Sequence, residues 1–137
     1  MTKVYASVKC EIEIPFHDVD MMRVAWHGHY AKYLEVARNK LFDTINYNVP
    51  EMEASGYAWP IIEMKIRYAQ PLRFQQKIYV RADLVEIENR MKISYQIFDS
   101  KSDRRLTKAH TIQVALRITT GEMLLASPRV IFEKLGL

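Results

Sequence analysis

Cysteine is nearly absent: the 137 residues include one, Cys10. No disulfide can close within the chain, and no four-cysteine zinc site can be built. A reducing compartment suits such a chain, so a cytoplasmic location is expected. Glycine (4) and proline (5) are scarce, which excludes collagenous and proline-rich linker sequences. No uninterrupted apolar run approaches the ~20 residues that span a bilayer, so no membrane span is expected. The stretch from Met1 to Phe16 breaks its apolar residues with Lys3, Lys9, Glu11 and Glu13, unlike a secretory signal. Lys and Arg outnumber Asp and Glu by 20 to 16, a net charge of +4, with no run of five basic residues. A nucleic-acid-binding arm is therefore not expected, whereas a phosphate-bearing small molecule suits the mildly basic balance.

Against these absences, 49% of residues are hydrophobic, enough for one packed core in a chain of ordinary domain length. No repeat, linker or low-complexity stretch divides it, so residues 1–137 read as a single domain. Glu11-Ile12-Glu13-Ile14 alternates with the period of a strand, and Pro15 ends it. From about Gly28 to Asn46, Tyr30, Leu34, Ala37, Leu41 and Ile45 recur at helical spacing. Such a helix is ~28 Å long at 1.5 Å per residue. Pro50 to Ser55 reads as a short turn or helix. The period then returns to two over Tyr57–Tyr68, Gln76–Ile87, Met91–Phe98 and Leu106–Thr119, with short polar turns between. On the last of these, Ile112, Val114, Leu116 and Ile118 form the apolar face, and the even spacing places His110 on it. A short strand over Met123–Leu125 and a helical turn over Pro128–Leu135 complete the pattern. Hairpin-length connections imply an antiparallel sheet, and one long amphipathic helix is available to cover its apolar face. The expected class is α+β: a curved antiparallel sheet of five to six strands wrapped around one central helix.

Chemistry-bearing residues concentrate between His17 and Tyr30, which hold three of the four histidines and the pair Asp18 and Asp20. A metal site on His27 and His29 is disfavoured, because helical residues two apart point ~200° apart. The two acids can instead serve as loop residues capping the coming helix. A third reading is acyl transfer. A helix N-terminus presents free N–H groups to an oxyanion, and each such donor is worth about 3–4 kcal/mol in enzymes. A nearby carboxylate then acts as nucleophile or as general base for water. Asp20 stands seven residues before His27, and Gly28 leaves room beside the backbone.

The stretches Phe16-His17-Asp18-Val19-Asp20, Val24-Ala25-Trp26-His27-Gly28-His29-Tyr30 and Tyr33-Leu34-Glu35-Val36-Ala37-Arg38 resemble the motif of the 4-hydroxybenzoyl-CoA thioesterase-like family. The order of strand, long helix and meander also matches that family's hot-dog fold. The resemblance implies hydrolysis of acyl-CoA thioesters without metal or cofactor, coenzyme A being part of the substrate. It assigns Asp20 as the catalytic carboxylate, the His27 amide as the oxyanion donor, and Asp18 as a supporting acid. It also implies a homodimer, often assembled into a tetramer of two dimers, with the active site at the subunit boundary. Gly28 and Tyr30 at the helix start, Trp59 as an acyl-pocket wall and Arg90 as a coenzyme A phosphate contact complete the expected site. Family members commonly carry Gly three residues after the catalytic acid, where this chain has Arg23. Glu35 and Arg38, three apart, are expected to form a helical ion pair. Acyl carrier protein is the other thiol consistent with the motif. An acyl-thioester dehydratase and a non-catalytic acyl-CoA binder are the rival readings.

Overall fold

The computed structural model describes residues 3–137, so Met1 and Thr2 of the expected domain lie outside the described residues. Strand β1 (Ala6–Glu13) leads through a 3-10 turn at Phe16–Asp18 to a second at His27–His29, which runs directly into helix α1 (Tyr30–Thr44). Helix α2 (Val49–Ser55) and strand β2 (Tyr57–Ala58) follow, then β3 (Ile61–Tyr68), β4 (Lys77–Glu86), β5 (Met91–Asp99), β6 (Arg105–Gln113), β7 (Leu116–Arg117) and helix α3 (Arg129–Lys134). Five strands form one antiparallel sheet in the order β1-β4-β5-β6-β3, and β2 and β7 pair separately. Helix α1 lies across β1 and β4, giving the hot-dog arrangement.

The helix stops because Asn46 takes a φ of 54°, a left-handed conformation that ends helical bonding and that Asn tolerates. Two residues later Asn48 starts α2 with a capping box. Its side chain accepts the Val49 amide, and its own amide donates to the Glu51 carboxylate at 3.0 Å. Helix α1 buries Tyr30, Tyr33, Leu34, Ala37, Leu41 and Phe42 against the inward faces of the sheet. Ile78, Val80, Ala82 and Leu84 of β4 and Ile93, Tyr95 and Ile97 of β5 are fully buried there, as their alternation predicts. Each such aliphatic side chain contributes about 1.5–3 kcal/mol on burial. No helix among the described residues is long and apolar enough to cross a membrane.

Several expectations are corrected. The run Tyr57–Tyr68 is two strands, broken at Trp59-Pro60, because Pro60 has no N–H to donate to a ladder. Its carbonyl still accepts the Val114 amide at 3.3 Å. The run Leu106–Thr119 bends at the same corner, ending at Gln113 and resuming as β7. Met123 makes a single bridge to Leu116 rather than a strand. The inward face of β6 is Thr107, Ala109, Thr111 and Gln113, because these residues pair with Ile97, Tyr95, Ile93 and Met91 of β5. The apolar set beginning at Ile112 is thus one residue out of phase, and His110 lies on the outer face, where its Nε2 meets Glu63 Oε2 at 2.6 Å. Two of the polar inward residues are bonded: Tyr95 and Thr111 share a 2.9 Å hydroxyl contact, and Gln113 Nε2 donates to the Trp59 carbonyl at 2.8 Å. Among the described residues Glu35 and Arg38 form no ion pair. Arg38 is half-buried beside Tyr95, whose phenol is pushed up by burial and drawn back by Thr111 and this guanidinium.

Candidate active site

Between β1 and α1 the chain folds into a tight hairpin. The Asp20 amide donates to the Val24 carbonyl and the Arg23 amide to the Asp20 carbonyl, both at 3.0 Å, while Val19 bridges Ala25. The loop is therefore Met21, Met22 and Arg23, and a three-residue hairpin loop closes with its last residue left-handed. Arg23 adopts that conformation, with a φ of 61°. The glycine that the resemblance leads one to expect here would reach positive φ without a Cβ penalty. The hairpin is tied to the β3–β4 connection by the Ala25 amide on the Leu72 carbonyl (2.6 Å) and the Phe74 amide on the Arg23 carbonyl (3.0 Å).

Asp20 sits at the mouth of this loop and is exposed. One carboxylate oxygen accepts the Met22 amide at 2.8 Å, an Asx-type bond that holds the side chain over its own turn. The other accepts no hydrogen bond from the described residues. At the helix start the His29 amide donates to the Trp26 carbonyl at 2.9 Å, whereas the His27 and Gly28 amides have no acceptor among the described residues. These are the free donors that a helix N-terminus leaves. The Tyr68 hydroxyl donates to the His27 carbonyl at 3.2 Å, and its ring meets Tyr30 edge-on with centroids 4.6 Å apart. Asp20, Trp26, His27, Tyr30, Tyr68 and Gln70 line one groove of about 370 Å³. The fold thus brings Asp20 and the helix tip to a common volume.

Asp18 plays a different part from its neighbour. It is 1% exposed; one oxygen accepts Lys32 Nζ at 2.5 Å and the other the Tyr33 hydroxyl at 2.7 Å. His17 Nε2 and His29 Nδ1 stand 3.5 and 3.8 Å away. Burial raises the Asp18 carboxyl pKa, but the Lys32 and Tyr33 bonds outweigh it and the net shift is downward. Burial and this same acceptor push the Tyr33 phenol up. The Asp18 carbonyl also accepts the Trp26 amide at 3.0 Å. Asp18 therefore pins the hairpin to the first turn of α1; it does not cap the helix with its side chain.

Other expected residues fall elsewhere. The space beside Gly28 is filled by the Trp26 indole, which a Cβ there would approach to 2.2 Å; the missing side chain makes room for tryptophan. Trp59 is buried, with Nε1 donating to the Tyr47 hydroxyl at 3.0 Å. Arg90 pairs with Glu86 at 3.1 Å in the β4–β5 turn. Within one chain neither reaches the groove: both stand at the Ile61 end of β3, whereas the groove is at the Tyr68 end. Tyr68, Trp26 and Lys32 were not legible as site residues. Tyr68 reads as one more strand residue, and only its place just ahead of Pro71, at a strand end, hints at a role. No group of three or more His, Cys, Asp or Glu able to hold a metal occurs among the described residues.

Comparison with known proteins agrees with this fold. The family model described as the thioesterase-like superfamily matches residues 14–131. A Bacillus subtilis (strain 168) protein named "Putative acyl-CoA thioesterase YneP" is 29% identical over 87 residues, covering 64% of this chain and 62% of that protein. The acyl-acyl carrier protein thioesterase ATL3 of Arabidopsis thaliana, a chloroplast protein, is 29% identical over 72 residues, 53% of this chain and 38% of that one. Both matches thus span less than two thirds of the relative's length. The crystal structure of a DHNA-CoA thioesterase from Staphylococcus aureus superposes with a TM-score of 0.78 at 24% identity, covering 87% of this chain and 80% of that one.

Proposed function

The chain belongs to the thioesterase-like superfamily, and from that membership we propose that it hydrolyses an acyl-CoA thioester to a free acid and coenzyme A. The observation that carries this reading is the shared groove of the Asp20 carboxylate and the unbonded His27 amide. The thioester carbonyl oxygen accepts the His27 N–H, whose strength as a donor grows as negative charge develops on that oxygen. The carboxylate of Asp20 then follows one of two routes. It adds to the carbonyl carbon, expels the thiolate and leaves a mixed anhydride for water to cleave. Alternatively it removes a proton from a water whose oxygen adds to the same carbon. In both, the C–S bond breaks, a C–O bond forms, and the thiolate ends protonated as coenzyme A.

The homodimer that the resemblance implies is supported by the free edge of β3. This strand closes one side of the sheet and exposes Ile61, Ile62, Met64 and Tyr68. An open edge of eight residues, with Ile62, Met64, Ile66 and Tyr68 at alternate positions between Glu63, Lys65 and Arg67, is available for strand pairing. Two-fold antiparallel pairing of β3 with a second copy sets Ile61 of one subunit opposite Tyr68 of the other. The Trp59 and Arg90 side of one chain then faces the Asp20 groove of its partner, which is how both join the site in this reading.

A panel of acyl-CoAs of graded length, followed by thiol release, tests the proposal, with one acyl-carrier-protein thioester to separate the two thiol carriers. Release of free thiol is expected. Water loss from hydroxyacyl thioesters without thiol release would instead make the protein a dehydratase, and tight binding without either reaction would make it a binder.

A further inference from the structure

The tip of α1 lacks the devices that usually fasten a helix start. Among the described residues no side chain caps the turn His27–His29 or the helix that follows, and neither first turn holds an acid. Gly28 adds conformational freedom at the same point. Yet the His27 amide must keep one direction if it is to serve a carbonyl oxygen. Two peptide units meet at the His27 α-carbon. The carbonyl of the first, on Trp26, accepts the His29 amide at 2.9 Å, which anchors the unit that carries the His27 N–H. The carbonyl of the second, on His27, accepts the Tyr30 amide from within the tip and the Tyr68 hydroxyl, at 3.2 Å, from outside it. Among the described residues this is the only side-chain hydrogen bond to the backbone of residues 26–29. The ring of Tyr68 adds edge-on contacts, with centroids 4.6 Å from Tyr30 and 6.2 Å from His27.

We infer that Tyr68 is a positioning residue whose hydroxyl fixes the direction of the His27 amide, an inference that rests on the thioesterase reading above. The hydroxyl holds the second peptide unit, and through the α-carbon that both units share it limits rotation of the first. Tyr68 acts through the backbone and not on the thioester. It is 47% exposed, so water can replace its hydroxyl at the His27 carbonyl and the bond adds little to stability. What water does not supply is a fixed direction, set here from a strand 41 residues away in sequence. Tyr68 also ends β3, the strand whose free edge pairs in the dimer reading, so subunit pairing and the direction of the amide share one strand.

Tyr68→Phe keeps the ring and removes the hydroxyl. On the best acyl-CoA found for the wild type, kcat is expected to fall about three- to tenfold, the worth of one neutral hydrogen bond. KM should stay within about twofold, because the amide interacts more strongly with the charged oxygen of the transition state than with the ground-state carbonyl. A ketone analogue of the same acyl-CoA, with methylene in place of sulfur, keeps the carbonyl and cannot be hydrolysed. At saturation its binding should shift the NMR signal of the His27 amide in isotope-labelled wild type, and shift it less in Tyr68→Phe. This readout needs no turnover. If the wild type shows the shift but releases no thiol from any acyl-CoA, the thioesterase reading fails, while a smaller shift in the variant still supports the role of Tyr68. An unchanged kcat, or a loss confined to Tm or KM, would overturn the inference. So would an amide shift that is equal in the two proteins or absent from the wild type.

Discussion

Replacing Arg23 by glycine should stabilise the protein although it removes a side chain of five donors. Arg23 closes the Asp20 hairpin at a φ of 61°, where an L-residue with a Cβ is strained by roughly 1–2 kcal/mol. Glycine relieves that strain but loses more chain entropy on folding, a cost of roughly 0.5–1 kcal/mol. The side chain is exposed and makes no hydrogen bond among the described residues, so its loss adds little. The net gain is therefore about 0.5–1 kcal/mol, or about 2–4 °C in Tm for a chain of this size. Urea unfolding of wild type, Arg23→Gly and Arg23→Ala measures it. The alanine variant keeps the Cβ and should show no gain, which isolates backbone from side chain. If glycine lowers the midpoint while alanine does not, the reasoning from left-handed strain is refuted.

Asp18→Asn should cost about 1–3 kcal/mol, because the buried Tyr33 hydroxyl and the half-exposed Lys32 ammonium lose a charged acceptor. Since the Asp18 pKa is lowered in the folded state, its contribution is complete above about pH 4–5. It fades as pH falls through the folded value, so the gap in Tm between wild type and variant should close in acid. Asp99, held down to about 2, first by the Gln76 amide, titrates in the same direction in both proteins and cancels in that difference. Gly28→Ala should displace the Trp26 indole, read as a change in tryptophan fluorescence; an unchanged spectrum would contradict the contact. Ile62→Lys, placing charge on the open β3 edge, should shift the species seen by light scattering from dimer to monomer, while an unchanged dimer would disprove the pairing.

Strands and helix were legible where one face is uniformly apolar. The alternation of β4 and the four-three spacing of α1 each point to one packing face, and both pack that way. The reading failed on β6, because its inward residues Thr107, Thr111 and Gln113 are polar and its outward Ile112 is not. Period alone cannot tell a buried polar face from a solvated one; the register with β5 decides it. The Glu35–Arg38 pair failed for a related reason: helical spacing permits the contact, but a half-buried guanidinium beside Tyr95 goes where the packing sends it. Asp18 and Asp20 were legible as a pair, since two acids before a helix tip are conspicuous. Their division of labour was not, because Lys32 and Tyr33 converge on Asp18 only once α1 packs. Tyr68 was missed because its closeness to His27 spans 41 residues, a separation at which no local pattern operates.

The central claim is that one carboxylate, at Asp20, acts on the carbon of the same carbonyl group whose oxygen accepts the His27 amide. The measurement that tests it most directly is steady-state thiol release by Asp20→Asn on the best acyl-CoA found for the wild type, with circular dichroism and Tm matched. A fall of about 10²–10⁴ in kcat with the fold intact is the expected result. Hydrolysis within a factor of two or so of wild type would show that the reaction takes place without this side chain.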